Sequence, residues 1–433
     1  MPIRNVTAPK TYQELFARLE ELVLANSGAD EFEEIFKLIF AKLYDEIECK
    51  GQRFKIYDTP KQTYREVSGL LAESLSKWVG IFPPGTKIEL DAEHLDVCVE
   101  VMKGYSLSKS GLQVMDDAFE HLVAKASKGS KGQFFTPRHV IDFCIKMVAP
   151  TKDEYVCDPA CGSGAFLFHT LQYLFQDLKS QDSNLLKDYS YKYLWGFDYE
   201  SKAARVAKAL MLIAGDGSTN IYRLNSLHKD TKVKLKLTSS EATQISIEDI
   251  LKIRLPKFPG FDVILTNPPY AGEIKQQELL DEYFVSNLVG NRVERDTLFL
   301  ERCIELLKPG GRMAIVVPDN KVSGKAFDEL RKWLFDMCKI DAVIGLPRTT
   351  FMPHTSQKTS ILFLRKRNAK EKGMPNEPIF FGISENIGKD SRGKLIYKGQ
   401  SRAGSAWDDV DHDLGSILSE YMIFTGVHHG KDI

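Results

Sequence analysis

A helical N-terminal domain followed by an α/β domain, its sheet largely parallel and covered by helices on both faces, is the fold class this sequence predicts. Three observations lead there. Apolar residues recur at helical spacing through the first 127 residues. Beyond the Lys/Gly/Ser stretch at 125–133, short apolar runs alternate with helical segments, the pattern of successive βαβ units. The 433 residues are 43% hydrophobic and 27% charged, which suits two or three globular domains and excludes collagen, coiled coil and disorder.

The elements follow in order. YQELFARLEELVLA, EFEEIFKLIFAKLYDEI, YREVSGLLAESLSKWVGIF and LDVCVEVMKGYSL each place apolar residues at i, i+3, i+4 and i+7, so four helices are expected in residues 1–127. Ser27-Gly28, Thr59-Pro60 and Pro83-Pro84-Gly85 separate them. Strands are expected at EYVCDPA, YLWGFD, NIYRLNSL, FDVILTN, GRMAIVVPD, DAVIGLP and TSILFLRK, with helices at SGAFLFHTLQYLFQDL, ESKAARVAKALMLIAG, 296–307 and 325–338. PIFFGIS (378–384) reads as one more strand, giving an α/β domain over 128–385 and a tail over 386–433 that includes the helical DLGSILSEYM.

The 58 basic and 59 acidic side chains leave a net charge of −1, so the chain as a whole is no polycation. The distribution is uneven. Residues 1–100 hold 12 Lys+Arg against 18 Asp+Glu, and residues 308–367 hold 12 against 5. Either excess can be a plain solvated face; any surface that faces a polyanion is expected in the C-terminal half. Seven scattered cysteines argue for a reducing compartment, and no stretch nears the ~18 apolar residues of a membrane helix. The N-terminus lacks the apolar core of a signal peptide, so a cytoplasmic location is expected.

Ligands in open α/β sheets bind beyond the C-terminal strand ends, and three loops there carry chemistry. DPACGSGAF (158–166) lies between a strand and a helix; Gly162 and Gly164 permit a tight turn close to a ligand, and Asp158 can accept from a cationic amine. It is neither a complete dinucleotide fingerprint nor a P-loop. Cys157 and Cys161 lack a second pair, so zinc is not expected. Asp198, in GFDYE, suits ribose hydroxyls or else caps the helix that follows. TNPPY (266–270) follows a strand with two prolines that cannot extend the sheet. The Asn267 carboxamide oxygen and the Pro268 carbonyl, beside the ring of Tyr270, suit a planar amine; a plain proline turn is the alternative. His139 is expected to be structural.

Four motifs together, GQFFTP (132–137), DPACGSGAF, GFDYE and NPPY, resemble those of N6-adenine DNA methyltransferases, specifically the modification subunits of type I restriction–modification systems. IGLPRTTFMPHTSQKTSILFLRK (344–366) is similar to a stretch of the same family, and the resemblance runs over roughly residues 29–366. It implies a class I, Rossmann-like sheet that binds S-adenosylmethionine. On this resemblance Gln133, Phe134, Phe135, Thr136, Pro137 and Arg138 would meet the methionine end of the cofactor, with Thr136 near its carboxylate. Asp158 would take the amino group, the loop of Ala160, Gly162, Ser163 and Gly164 would pass beneath, and Asp198 would bind the ribose diol. Asn225 stands where the family often has Asp and would meet the cofactor's adenine edge. Asn267, Pro268, Pro269 and Tyr270 would hold a flipped adenine for methylation, with no metal.

The implied partners are double-stranded DNA, a specificity subunit, a second copy of the modification subunit and a restriction subunit; none is a membrane. Only 67 residues follow Lys366, too few for a DNA-reading module of ~600–1,000 Å² of interface, so sequence is expected to be read in trans. Two rival readings are a protein-glutamine N5-methyltransferase, which also uses NPPY, and a non-catalytic assembly subunit that only binds cofactor or DNA.

Overall fold

A computed structural model describes residues 12–24, 30–78, 81–83, 85–108, 135–175, 183–214, 220–229, 245–270, 272–289, 292–371, 373–374, 376–399 and 409–426. The chain divides into two compact units. The first takes Met1–Lys128, Arg205–Ser218 and Thr238–Ser240, and the second takes Gly129–Ala204, Thr219–Leu237 and Glu241–Ile433.

The first unit contains α1 (Tyr12–Leu24), α2 (Glu31–Glu48), α3 (Pro60–Lys77) and α4 (Ala92–Met102). Short polar side chains start three of them: Asp30 accepts from the Glu33 N–H, Thr59 and Gln62 form a reciprocal box, and Asp91 accepts from the His94 N–H. Leu15, Leu19, Ile35, Ile39, Val67, Leu70 and Val99 are fully buried from these helices. The third helix stops at Lys77, short of the Phe82 that its periodicity reaches. Beyond that point aromatic packing decides, because the rings of Trp78 and Phe82 stand edge-on to Phe40 at 5.8 and 5.4 Å. Within the same unit the Arg205 guanidinium pairs with Glu33 and lies 5.5 Å over the ring of Phe82.

The second unit opens with α5 (Arg138–Val148), β1 (Val156–Asp158), α6 (Ala165–Phe175), α7 (Ser183–Tyr193) and β2 (Leu194–Asp198). α8 (Ser201–Ile213), β3 (Ile221–Arg223), α9 (Ile247–Arg254), β4 (Phe261–Thr266), α10 (Arg295–Leu306) and β5 (Leu307–Pro318) follow, the later part of α8 belonging to the first unit. The chain then forms α11 (Asp328–Met337), β6 (Cys338–Leu346), β7 (Thr359–Lys366), β8 (Phe380–Ile383) and α12 (Leu414–Thr425). The eight strands lie in the order β3-β2-β1-β4-β5-β7-β6-β8.

Every neighbouring pair is parallel except those of β7, which runs antiparallel to both β5 and β6. A parallel return needs a crossover, usually a helix; the irregular loop between β6 and β7 has none, so the chain doubles back. Trp195, Phe197, Phe261, Ile264, Ile315 and Leu362 belong to the core on this sheet. Register aligns Asp158 with Gly196, Asp198 with Arg223 and Thr266 with Ile315, so these strands end along one rim. Asp413, at the start of α12, accepts from the Ser384 hydroxyl and from the N–H groups of Glu385 and Asn386 just past β8. Among the described residues no helix is long and apolar enough to cross a membrane.

Candidate active site

The rim assembles from the strand ends outward. β1 delivers Asp158, which is 1% exposed; its Oδ1 accepts from the Ala160 N–H at 3.0 Å and from the Thr266 hydroxyl at 2.7 Å. The loop then turns through Gly162 (φ +53°) and Gly164 (φ +85°), the left-handed region where only glycine is unstrained. A Cβ on Gly162 would meet nothing within 4 Å, so the backbone at this turn lies open to a neighbour. Ser163 is buried beside it.

Asp198 at the end of β2 closes the turn from the other side. It accepts from the Gly162 N–H at 2.9 Å and from the Glu200 N–H at 2.8 Å. Burial pushes the Asp158 carboxyl up to about 7 and the Asp198 carboxyl up to about 6. Neither forms an ion pair among the described residues. Two buried acids without a cation, next to an open glycine backbone, form a donor set that suits a cationic ligand with hydroxyl groups. The methionine ammonium and ribose of S-adenosylmethionine fit that description.

Asn225, half-buried past β3, gives its side-chain oxygen to the Leu227 N–H at 3.1 Å, an Asx-type turn of its own loop. That loop is held from beneath. The Ser226 hydroxyl bonds the Pro159 carbonyl, the Tyr283 hydroxyl bonds Leu227 O, and the buried Arg302 bonds Ser226 O at 2.6 Å while chelating Glu248. Sequence reading missed Arg302 because an arginine in an amphipathic helix ordinarily points to solvent. It also missed Tyr199, 63% exposed directly after Asp198, where an open aromatic ring can lie against a flat ligand.

The loop after β4 places Asn267 in a hydrogen-bonded chain. Its amide nitrogen donates to Thr136 Oγ1 at 2.9 Å, and its carboxamide oxygen accepts from the Tyr270 hydroxyl. Thr136 therefore meets the NPPY loop directly. Tyr270 is 6% exposed, so its ring is packed rather than presented, and Phe351 stands edge-on to it at 5.9 Å and 85°. Phe351 comes from the loop between β6 and β7, which Lys389 clips by donating to the Thr350 and Met352 carbonyls at 2.9 and 3.1 Å. Pro268 is buried and Pro269 half-buried. Of the arm before α5, Phe135 and Pro137 are half-buried and Arg138 is buried, while Gln133 and Phe134 lie outside the described residues. His139 is buried with its ring 5.0 Å from that of His412.

The family and the fold are shared with known proteins. The family model of N-6 DNA methylases matches residues 111–401. The methylase subunit of the type I restriction enzyme EcoEI of Escherichia coli is 28% identical over 270 residues, 61% of this chain and 48% of that protein. The chain spans about half the length of the curated relatives it matches. The methyltransferase subunit of a type I restriction–modification system from Streptococcus thermophilus superposes with a TM-score of 0.56 at 17% identity, covering 98% of this chain and 94% of that one. A chain from a study of complex assembly and conformational transition of a type I system superposes at 0.59 with 20% identity, covering 90% and 81%. The second unit has the class I methyltransferase fold. With about two thirds of its length inside the family model, the chain belongs to the N-6 DNA methylase family.

Proposed function

We propose that this chain is a DNA adenine-N6 methyltransferase, the modification subunit of a cytoplasmic type I restriction–modification complex, and that S-adenosylmethionine is its methyl donor. The observation that carries the reading is the Asn267 carboxamide, fixed by Thr136 and bordered by Tyr270 and Phe351, on the rim that also holds Asp158, Gly162 and Asp198. Bound there, the cofactor supplies an electrophilic methyl on a sulfonium.

Asp158 would take the ammonium, Asp198 the ribose diol, and Asn225 with the exposed Tyr199 the adenine end. Asn267 Oδ1 and the Pro268 carbonyl accept the two hydrogens of the target amine, pushing its nitrogen towards sp³ and freeing the lone pair for in-line attack. Positioning supplies most of the catalysis, since no strong base is needed before the methyl arrives. The target lies inside a duplex, so the base is extruded at a cost of a few kcal/mol, and stacking on aromatic side chains returns about 1–3 kcal/mol. Proposed partners are duplex DNA, a specificity subunit that reads sequence, a second copy of this chain and a restriction subunit. The solved type I assembly that this chain resembles supports that reading.

The test is single-molecule sequencing of DNA from cells with and without the gene, joined to the Asn267→Ala variant. The expected result is N6-methyladenine in one sequence context, lost in the variant while cofactor affinity is kept. Unchanged DNA with newly methylated glutamine in protein would establish the N5-methyltransferase reading instead. Cofactor binding without any transfer would establish the assembly-subunit reading.

A further inference from the structure

Phe351 is 1% exposed although it lies on the irregular turn between β6 and β7, whose Pro353 and His354 are exposed. The bonds within that turn are local: the Thr350 N–H and hydroxyl both donate to Pro347 O, and the Met352 N–H donates to Thr349 O at 3.1 Å. They fold the turn on itself. Holding a loop ring in one buried place also needs an anchored backbone, because entropy opposes the ordering of a free loop.

The anchor comes from a distant stretch. Lys389 Nζ donates to the carbonyls of Thr350 and Met352, at 2.9 and 3.1 Å, so one ammonium grips the backbone on both sides of Phe351. Gly393 (φ +84°) lies so close to the same turn that a Cβ there would stand 2.5–2.6 Å from the backbone of Met352 and Pro353. Lys389 is itself firmly carried: it bridges Leu395, the Ile396 N–H donates to Gly388 O at 2.8 Å, and Asp390 Oδ1 accepts from the N–H groups of Arg392 and Lys394. The Asp411 N–H then donates to Ile396 O at 2.8 Å. The next residue, His412, stacks on His139, whose ring is hydrogen-bonded to the Ile387 backbone. One stretch of chain thus meets both neighbours of the NPPY loop: His139, three residues past the Thr136 that bonds Asn267, and the turn whose Phe351 meets Tyr270.

We propose that Lys389 is a positioning residue for the target base: by holding the backbone on both sides of Phe351 it fixes the ring that borders Tyr270, and with it the aromatic pocket that receives the extruded adenine. The inference rests on the methyltransferase reading. An ammonium suits the task because its three donors serve two carbonyls at once. Stacking favours extrusion most when the rings already stand in place; otherwise the incoming base must order the turn itself, which lowers its occupancy.

A four-protein cycle tests this: the wild type, Lys389→Met, Phe351→Ala and the double variant, each as the full chain assembled with the subunit that confers sequence choice. The substrate is a duplex bearing the sequence found methylated in cells. A second duplex carries 2-aminopurine at the target position, so that fluorescence reads extrusion. Lys389→Met should lower the extruded fraction and kcat together, about fivefold, while the Kd for S-adenosylmethionine and for a duplex with an abasic target stays within about twofold. Lys389→Arg, which keeps donors for both carbonyls, should recover extrusion to within about twofold of wild type. In the Phe351→Ala background, where no ring needs placing, Lys389→Met should change extrusion by no more than about twofold. Equal losses in both backgrounds, no loss with Phe351 present, or a rise in extrusion overturn the proposal; a rise would make the turn a cover that Lys389 holds shut. If circular dichroism shows either single variant to be unfolded, Lys389→Gln or Phe351→Leu replaces it under the same criteria. Absence of methyl transfer by the wild-type assembly sinks the methyltransferase reading; transfer with additive or silent variants sinks this inference alone.

Discussion

Two carboxyl groups held above their ordinary range place a pH dependence on the glycine loop. Asp158, facing the Thr266 hydroxyl, the Ala160 N–H and the charge of Asp198, is raised by burial to about 7, and Asp198 to about 6. The contribution of each to stability is present below the unfolded pKa and is lost as pH rises through about 6 to 7. A cationic ligand reverses the balance, because it binds the ionised acids. Affinity for S-adenosylmethionine should therefore be about tenfold higher at pH 8 than at pH 6, with protons released on binding. Titration calorimetry in buffers of different ionisation enthalpy checks both, and a flat profile would remove Asp158 from the site. Asp198→Ala should weaken binding by about 1–3 kcal/mol. Asp198 also holds the Gly162 N–H, so Asp198→Asn, which can still accept that bond, should lose less. At this scale the motifs were legible: Asp158 and Asp198 end β1 and β2 and Asn267 follows β4, positions that the local sequence marks. The Thr136–Asn267 bond spans 131 positions, and Phe351 reaches Tyr270 from another loop. No local pattern records contacts of that range.

Arg302 belongs to the element scale, because it joins α10 to α9 and to the loop past β3. Its side chain is 1% exposed, and it supplies the donors for both Glu248 and the Ser226 carbonyl. Arg302→Met should cost about 2 kcal/mol, since the buried Ser226 carbonyl and the part-exposed Glu248 both lose their donor. The denaturation midpoint measures that loss. Cofactor titration should also show weaker binding as the Asn225 loop loosens, whereas unchanged affinity would mean that the loop is held without Arg302. Strands were legible wherever β-branched runs met turn residues, as at Phe261–Thr266 and Thr359–Lys366. The direction of β7 was not, because alternation along a strand is the same read either way. SNLLKDYSYKY forms α7 although too few apolar residues mark its face.

For the whole molecule, the basic excess of residues 308–367 suggested a polyanion surface, and the structure narrows it. Arg312 chelates Glu154 and Arg367 chelates Glu377, Lys321 is buried on Glu294, and Lys339 and Arg365 flank Asp341. Charge counted along a chain does not say which cations are already paired. Lys325, Arg348 and Lys358 remain exposed near the rim, Lys358 lying 3.6 Å from the Asp319 carboxylate. The isolated chain should bind duplex DNA without sequence preference, with a salt slope of about three phosphate contacts, and the Lys325→Ala, Arg348→Ala, Lys358→Ala triple variant should flatten it. Fluorescence anisotropy from about 50 to 200 mM salt decides; a slope that survives the triple variant places DNA elsewhere. The reversed strand β7 has one more consequence, on the ribosome. The neighbours of β6 are β7 and β8, both made later, so β6 emerges with no strand to join. At ~5–20 residues per second it waits about 1–4 s for β7 alone. Translation speed over that interval thus governs how long an apolar strand stays bare, and the Phe351 loop closes on Tyr270 only after β7 and the Lys389 that clips it have been made.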